Sequence, residues 1–397
     1  MGKSRGICLL LTLGLLMPLT SCWDRMEIEE RGFAVGSAID LVEKLDNGEY
    51  KIMLTTQFVV PAGMSASTQS GGGNQEPFMN LSVSGESVFD ISREMSKLAS
   101  REAYYPHLKV IIISEEVVEE PDLFASIMDV FLRDHEMRRS VKLSISKGEA
   151  KEVLYIKPDN EDLPAMYIKS VMENSYKTGG SIEPIHIGEV QEYLLSNRSY
   201  VIPSVFVAGD NIKYEGVGVF QGKNNQMLEI LNNDETKGLG FIIEKIKGGT
   251  IKVEVGGDLI TIELADIKSN IKVEGKDKEN LKISVKMELE GKIAETFGNK
   301  SVLDRNYFTK IEEAAAKKVE ELAQQTIEKV QGELKVDVLG ISDLLYQRHY
   351  DMWQTIEGDW DQGANYFSQS TINVSADVKI EKPGATDNIN SNQNGDQ

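Results

Sequence analysis

Four histidines, His107, His135, His186 and His349, are the chain's only imidazoles, and each stands alone in sequence. His135-Glu136-Met137-Arg138-Arg139 opens like a zinc-protease helix, where two imidazoles four residues apart share one metal ion. Arg139 occupies the second ligand position, and a single imidazole at that spacing cannot hold zinc. Gly216-Val217-Gly218 lacks the third glycine of a dinucleotide loop and runs on into Val219-Phe220, so it reads as a sheet position. There is no Gly-x-Ser-x-Gly elbow and no Gly-Lys-Ser/Thr phosphate loop. Carboxylates total 63 against 43 Lys plus Arg, too many for any one pair to stand out. The reading is a chain with no catalytic residues, no cofactor and no metal site. At a net charge of −20 it repels polyanions, which excludes nucleic acid as a partner.

The residue that can do chemistry is a cysteine. Lys3 and Arg5 precede an apolar run from Ile7 to Leu19, long enough for a signal-peptide core and short of the roughly 20 residues that span a bilayer. The run ends in Leu19-Thr20-Ser21-Cys22, the bacterial lipobox pattern of apolar, small, small, Cys. A thiol is required at the fourth position because its sulfur receives the diacylglyceryl group before cleavage at Ser21–Cys22. Residues 1–21 are therefore expected to be a lipoprotein signal peptide, and Cys22 the lipidated (palmitate-type) residue. Cys8 leaves with the signal, so no disulfide and no thiolate metal site can form in the mature chain. Two acyl chains anchor a protein without any basic patch.

Cys22-Trp23-Asp24-Arg25-Met26-Glu27-Ile28 is followed by Gly32-Phe33-Ala34-Val35-Gly36-Ser37-Ala38-Ile39-Asp40. Downstream come Gly216-Val217-Gly218-Val219-Phe220, then Glu235-Thr236-Lys237-Gly238-Leu239, and Asp337-Val338-Leu339-Gly340 leading to Tyr346, Tyr350 and Trp353. Taken in order, these segments resemble the Ger(x)C family, the lipoprotein (C) subunits of nutrient germinant receptors in endospore-forming bacteria. In that family Trp-Asp follows the lipobox Cys and a first strand ends in an Ile/Val-Asp pair. The resemblance covers nearly the whole mature chain. It implies a spore-germination lipoprotein on the outer face of the cytoplasmic membrane, the inner membrane of the spore. Its implied partners are the two integral membrane subunits, of A and B type.

The elements that must position these segments read as α+β, with mixed and antiparallel sheets, packed helices and two to three domains. Residues 33–41 and 49–60 alternate around the turn Asp46-Asn47-Gly48, which predicts a hairpin. Val88, Ile91, Met95 and Leu98 recur at helical spacing, as do Leu123, Ile127 and Phe131. His107 to Ser114 reads as a buried strand, and Val141, Leu143 and Ile145 as another. The expected divisions are an N-terminal α/β domain at 22–160, a small helical middle domain or junction at 161–198, and a C-terminal unit at 199–384. That last unit is read as an antiparallel sheet covered by a long helix over roughly 304–333, started by Ser301 and Asp304 and stopped at Gly332. Residues 385–397 are polar and read as a disordered tail.

A helix over Leu345–Ile356 carries two stripes, Leu345, His349, Met352 and Ile356 on one and Tyr346, Tyr350 and Trp353 on the other. Both can be core; alternatively the aromatic stripe is a partner interface, since Tyr and Trp are favoured at interface centres. Two functions besides a receptor subunit fit an exported lipoprotein. A tethered solute-binding protein would show two similar α/β lobes around a hinge crevice, and an extracytoplasmic hydrolase would need motifs that are missing. Direct nutrient binding stays open.

Overall fold

The computed structural model describes residues 31–66, 76–175, 177, 179–275, 278 and 280–381. Cys22, the signal peptide and the expected tail lie outside the described residues. The chain builds two sheets. The larger holds β1 (Arg31–Lys44), β2 (Tyr50–Val59), β3 (Phe78–Gly85), β4 (Glu102–Tyr104), β5 (Val110–Ser114), β6 (Lys142–Ser146), β7 (Ile185–His186), β8 (Tyr200–Ala208), β9 (Asn211–Gln221) and β10 (Gln226–Leu231). Its main path runs β10-β9-β8-β6-β5-β1-β2-β3. The central β1, β5, β6 and β8 pair in parallel, and the outer pairs are antiparallel hairpins.

Residues 110–113 explain why β5 is central. All four are apolar and buried, Ile111 and Ile113 toward one face and Val110 and Ile112 toward the other. A strand that is apolar on both sides needs helices on both sides. On the first face lie α2 (Val88–Leu98), α3 (Leu123–Arg133) and α6 (Ile187–Ser196), through Ile91, Met95, Phe124 and Val190. On the second lie α4 (Ala150–Tyr155) and α5 (Pro164–Ser175), through Val153, Leu154, Ile168 and Met172. The short α1 (Pro61–Ala66) follows β2. Two buried polar residues dock the second layer. Asp40 accepts hydrogen bonds from the Ala150 and Lys151 amides at the start of α4. Gln57 accepts from the Ala165 amide at 2.9 Å and donates to the Leu154 carbonyl at 3.0 Å.

The second sheet, β11-β12-β13-β14, comprises Gly249–Val255, Asp258–Glu274, Lys282–Phe297 and Thr371–Glu381. Each strand alternates, with Ile251, Val253, Ile260, Ile262, Ile283, Val285, Met287 and Leu289 facing inward. That dry face is covered by α8 (Arg305–Ile327) through Ile311, Ala315, Val319, Leu322 and Ile327. Asp304 caps the helix by accepting from the Tyr307 amide at 2.8 Å. At the predicted stop the helix widens into a π turn, Glu328–Glu333, before ending. The helix α7 (Asn233–Ile242) lies between β10 and the second sheet.

Two expectations are corrected. Residues 199–231 do not join the C-terminal sheet: β8, β9 and β10 complete the large one, and the sheets divide after Leu231. A strand pattern in the sequence does not name the sheet that a strand joins, so the expected sheet for residues 199–231 is corrected. The C-terminal sheet is also not wholly antiparallel, because β13 and β14 run parallel in register from Lys282↔Thr371 to Lys292↔Glu381. A helix and a helical corner carry the chain back to its starting end between them, which a tight turn cannot do.

Gly238 marks the closest approach of α7 to α8: an added Cβ would lie 2.2 Å from the Leu322 carbonyl oxygen and 2.2 Å from Thr326 Oγ1. Gly238→Ala should therefore cost about 3 kcal/mol in a urea unfolding titration. Gly332→Ala, with nothing within 4 Å of the new methyl, should leave stability unchanged or slightly raised.

Candidate partner-contact site

The Asp337-Val338-Leu339-Gly340 segment folds around its own carboxylate. Asp337 is 1% exposed, and each of its oxygens takes two donors. Oδ1 accepts from the Leu339 and Ile341 amides at 3.0 and 3.3 Å, and Oδ2 from the Ser342 amide at 2.6 Å and Trp360 Nε1 at 2.8 Å. Gly340 sits at φ +78°, a left-handed turn that glycine adopts without a Cβ penalty, and it starts α9 (Ile341–Arg348). Burial lifts the Asp337 carboxyl above the usual 3.8, against the pull of its donors, with Asp361 adding repulsion.

Asp361 extends the joint to the large sheet. Its Oδ2 accepts from the Asp337 amide at 3.3 Å and from Ser199 Oγ at 2.6 Å, just before β8. Arg198 forms an ion pair with Asp343 of α9. Between them lies a polar cleft of about 230 Å³ bordered by Arg198, Ser199, Trp353 and Asp361. Arg198 is engaged by Asp343 and Asp361 by Ser199 and the Asp337 amide, so the cleft lies along a seam between the aromatic corner and the large sheet.

The expected single helix at 345–356 is broken at His349 (φ −134°, ψ 45°), which ends α9 and begins α10 (Tyr350–Ile356). The break separates the aromatic stripe. Trp353 turns inward, 7% exposed, with its ring edge-on to Trp360 at 6.4 Å. Tyr346 and Tyr350 stay outside, 52% and 50% exposed, edge to face at 5.6 Å. Leu345 and Ile356 are buried as the first stripe requires, while His349 and Met352 are only half-buried. Of the three predicted interface residues the structure thus brings two together at the surface and places the third in the core.

The remaining histidines are dispersed. His107 packs edge-on against Phe33 at 5.3 Å. His186 Nδ1 lies 3.1 Å from Glu189 Oε2 at the start of α6. His135 borders an apolar cavity of about 580 Å³ between α2 and α3. Among the described residues no group of three His, Cys, Asp or Glu is placed to hold a metal ion, and no helix is long and apolar enough to cross a membrane. Gly216–Phe220 lies within β9, paired with β8 and β10. Sequence reasoning missed Asp337, Trp360 and Asp361 as a unit. A lone Asp inside an apolar stretch, directly before a Val-Leu-Gly turn, was the available signal.

Both halves of the chain match known family models. Residues 24–207 match the family described as Spore germination protein N-terminal domain, and residues 215–384 the one described as Spore germination B3/GerAC like, C-terminal. The chain is 31% identical to Spore germination protein YndF of Bacillus subtilis (strain 168), across 92% of this chain and 94% of that protein. It is 29% identical to Spore germination protein B3 of the same organism, across 92% and 95%. The crystal structure of the GerBC protein shares the fold, with a TM-score of 0.59 and 23% identity over 86% of this chain and 97% of that one. The chain belongs to the GerAC-like spore germination family, the Ger(x)C family that its motifs resemble.

Trp353→Ala should lower stability by about 3–5 kcal/mol, as for a buried aromatic. Tyr350→Ala should lower it by no more than about 1 kcal/mol. Asp337→Asn should cost at least about 2 kcal/mol, because an amide NH₂ in place of either oxygen faces two donors. Thermal or denaturant unfolding of the three variants checks this ranking.

Proposed function

We propose that the chain is the lipid-anchored subunit of a nutrient germinant receptor, held at the membrane through Cys22 and acting by contact with integral membrane receptor subunits. Its place in a spore germination family supports the setting, and the lipobox supports the anchor. The observation that carries the contact is the Tyr346–Tyr350 pair: two half-exposed aromatic rings on helices fixed from beneath by Asp337 and Trp353. Rigid, exposed Tyr is the side chain most suited to anchor an interface, since little rotamer freedom is lost on binding. The role needs no catalysis, and none is proposed. A solute-binding lipoprotein would present two similar lobes about a hinge; here a mixed sheet with helices on both faces meets a four-stranded sheet with a helix on one.

The test is recovery of membrane partners from detergent-solubilised spores carrying the tagged full-length chain. A Tyr346→Ala, Tyr350→Ala variant should stay folded and membrane-bound yet lose the integral subunits that the unaltered chain recovers. Recovery at the unaltered level would remove the tyrosine pair from the interface. Cys22→Ala should abolish acylation and leave the chain uncleaved or soluble; an unaltered chain that partitions wholly into the aqueous phase of a detergent separation would sink the anchor.

A further inference from the structure

The larger sheet has one end that gathers exposed apolar side chains, and the chain enters the fold there. β1 starts at Arg31 beside β4, with Arg31 opposite Glu102. Antiparallel pairing brings the end of β2 to the same place, with Ala34 opposite Phe58, and the start of β3, with Phe58 opposite Met79. The helix α1 and the C-terminal end of α2 complete this rim. An apolar cleft of about 320 Å³ opens among Gly32, Phe58, Val60, Ala62, Met79 and Ala99. Around it Met64, Met79 and Leu98 stand out into solvent, Leu98 68% and Met79 43% exposed, and Arg101 borders the cleft.

Eight residues, 23–30, separate Cys22 from Arg31. Fully extended they reach at most about 30 Å. If Cys22 is acylated, this end of the sheet is the part of the fold held nearest the bilayer. The turn end of the β1–β2 hairpin, where Val42 is also exposed, lies roughly 35 Å further along β1 at about 3.3 Å per residue. The chain's net charge of −20 gives no overall attraction to anionic lipid heads, so apolar side chains supply the main contact at this end, with Arg31 and Arg101 beside them. Methionine suits that role, being unbranched and able to follow a disordered surface.

We infer that this sheet end is a membrane-facing surface: Met64, Met79 and Leu98 rest in the headgroup–acyl boundary of the bilayer beside the lipidated N-terminus. The tether and this rim together set the orientation of the subunit on the membrane. The inference rests on the proposed acylation of Cys22, and the test separates the two.

The mature chain carries no thiol besides Cys22, so an introduced cysteine is a unique label site. Full-length lipoprotein bearing Leu98→Cys, Met79→Cys or, as control, Val42→Cys is labelled with an environment-sensitive fluorophore. It is then reconstituted into phosphatidylethanolamine–phosphatidylglycerol vesicles containing nitroxide-labelled lipid. Labels at 98 and 79 should be blue-shifted and quenched several-fold more strongly than the label at 42. Should Met79→Cys fail to fold, Leu98→Cys, at an exposed helix end, carries the test. Protein that floats with the vesicles but shows equal quenching at 98 and 42 overturns the inference and leaves the anchor standing. A blue-shifted label at 98 that nitroxide lipid does not quench indicates a protein contact there and also overturns it. Protein that does not float refutes the anchor, and the orientation with it.

Discussion

A carboxylate sealed from water must find donors or lose its charge, and Asp337 meets that demand with four N–H groups. Three come from the turn that follows it, so the direction of α9 is fixed by the Asp337 side chain. The fourth comes from Trp360, which pulls the chain beyond α10 back over the same point. Trp353 then fills the space against Trp360, and Tyr346 and Tyr350 are left outside because the inner positions are taken. Through Asp361 and Ser199 the joint reaches the large sheet, so the Tyr346–Tyr350 corner is tied by hydrogen bonds to the strand start of β8.

The same coupling recurs at the other end of the crossover. Thr326 Oγ1 on α8 donates to the Glu235 carbonyl at 2.8 Å, where α7 crosses with only Gly238 between the backbones. Lys329 pairs with Glu229 of β10 at 2.7 Å. The π turn at Glu328–Glu333 aims Gln331 at the Phe367 and Ser370 carbonyls, immediately before β14 begins. Since β14 is an edge, its outward amides need attention, and two of them are covered: Glu320 accepts from the Ala376 amide and Glu312 from the Ile380 amide. Acidic side chains along an open strand edge also discourage pairing with another chain. The outer face carries cross-strand ion pairs such as Lys292 with Glu263, and remains solvated.

What could be read beforehand follows from which forces are local. The β1–β2 hairpin, the buried β5, the amphipathic α2 and α8 and the Asp304 start are each dictated by side chains close together in sequence, and each stands within a few residues of its expected place. The partner of a strand is not local. β8 and β9 carry consecutive buried residues, at 202–205 and 216–220, where β11 alternates strictly, but a buried run does not name the strands beside it, and nothing local gives the direction of β14. The helix break at His349 has no Gly or Pro to announce it; inward rotation of Trp353 toward a tryptophan seven residues on decides it. Several resemblance motifs gain physical reasons: Asp40 caps α4, Gly238 admits α8, and Asp337 with Gly340 sets the aromatic corner. Of the three residues expected at an interface, the two tyrosines are exposed and the tryptophan belongs to the core.

The central claim is that the tyrosine corner touches an integral membrane subunit. Site-specific photocrosslinking in intact spores tests it most directly, with a benzophenone amino acid at position 346 and, as control, at position 286 on the charged outer face of the C-terminal sheet. Crosslinks from 346 to an integral membrane polypeptide, absent from 286, are expected. A folded, lipidated chain that gives no such adduct from 346, or gives it equally from both positions, would contradict the assignment.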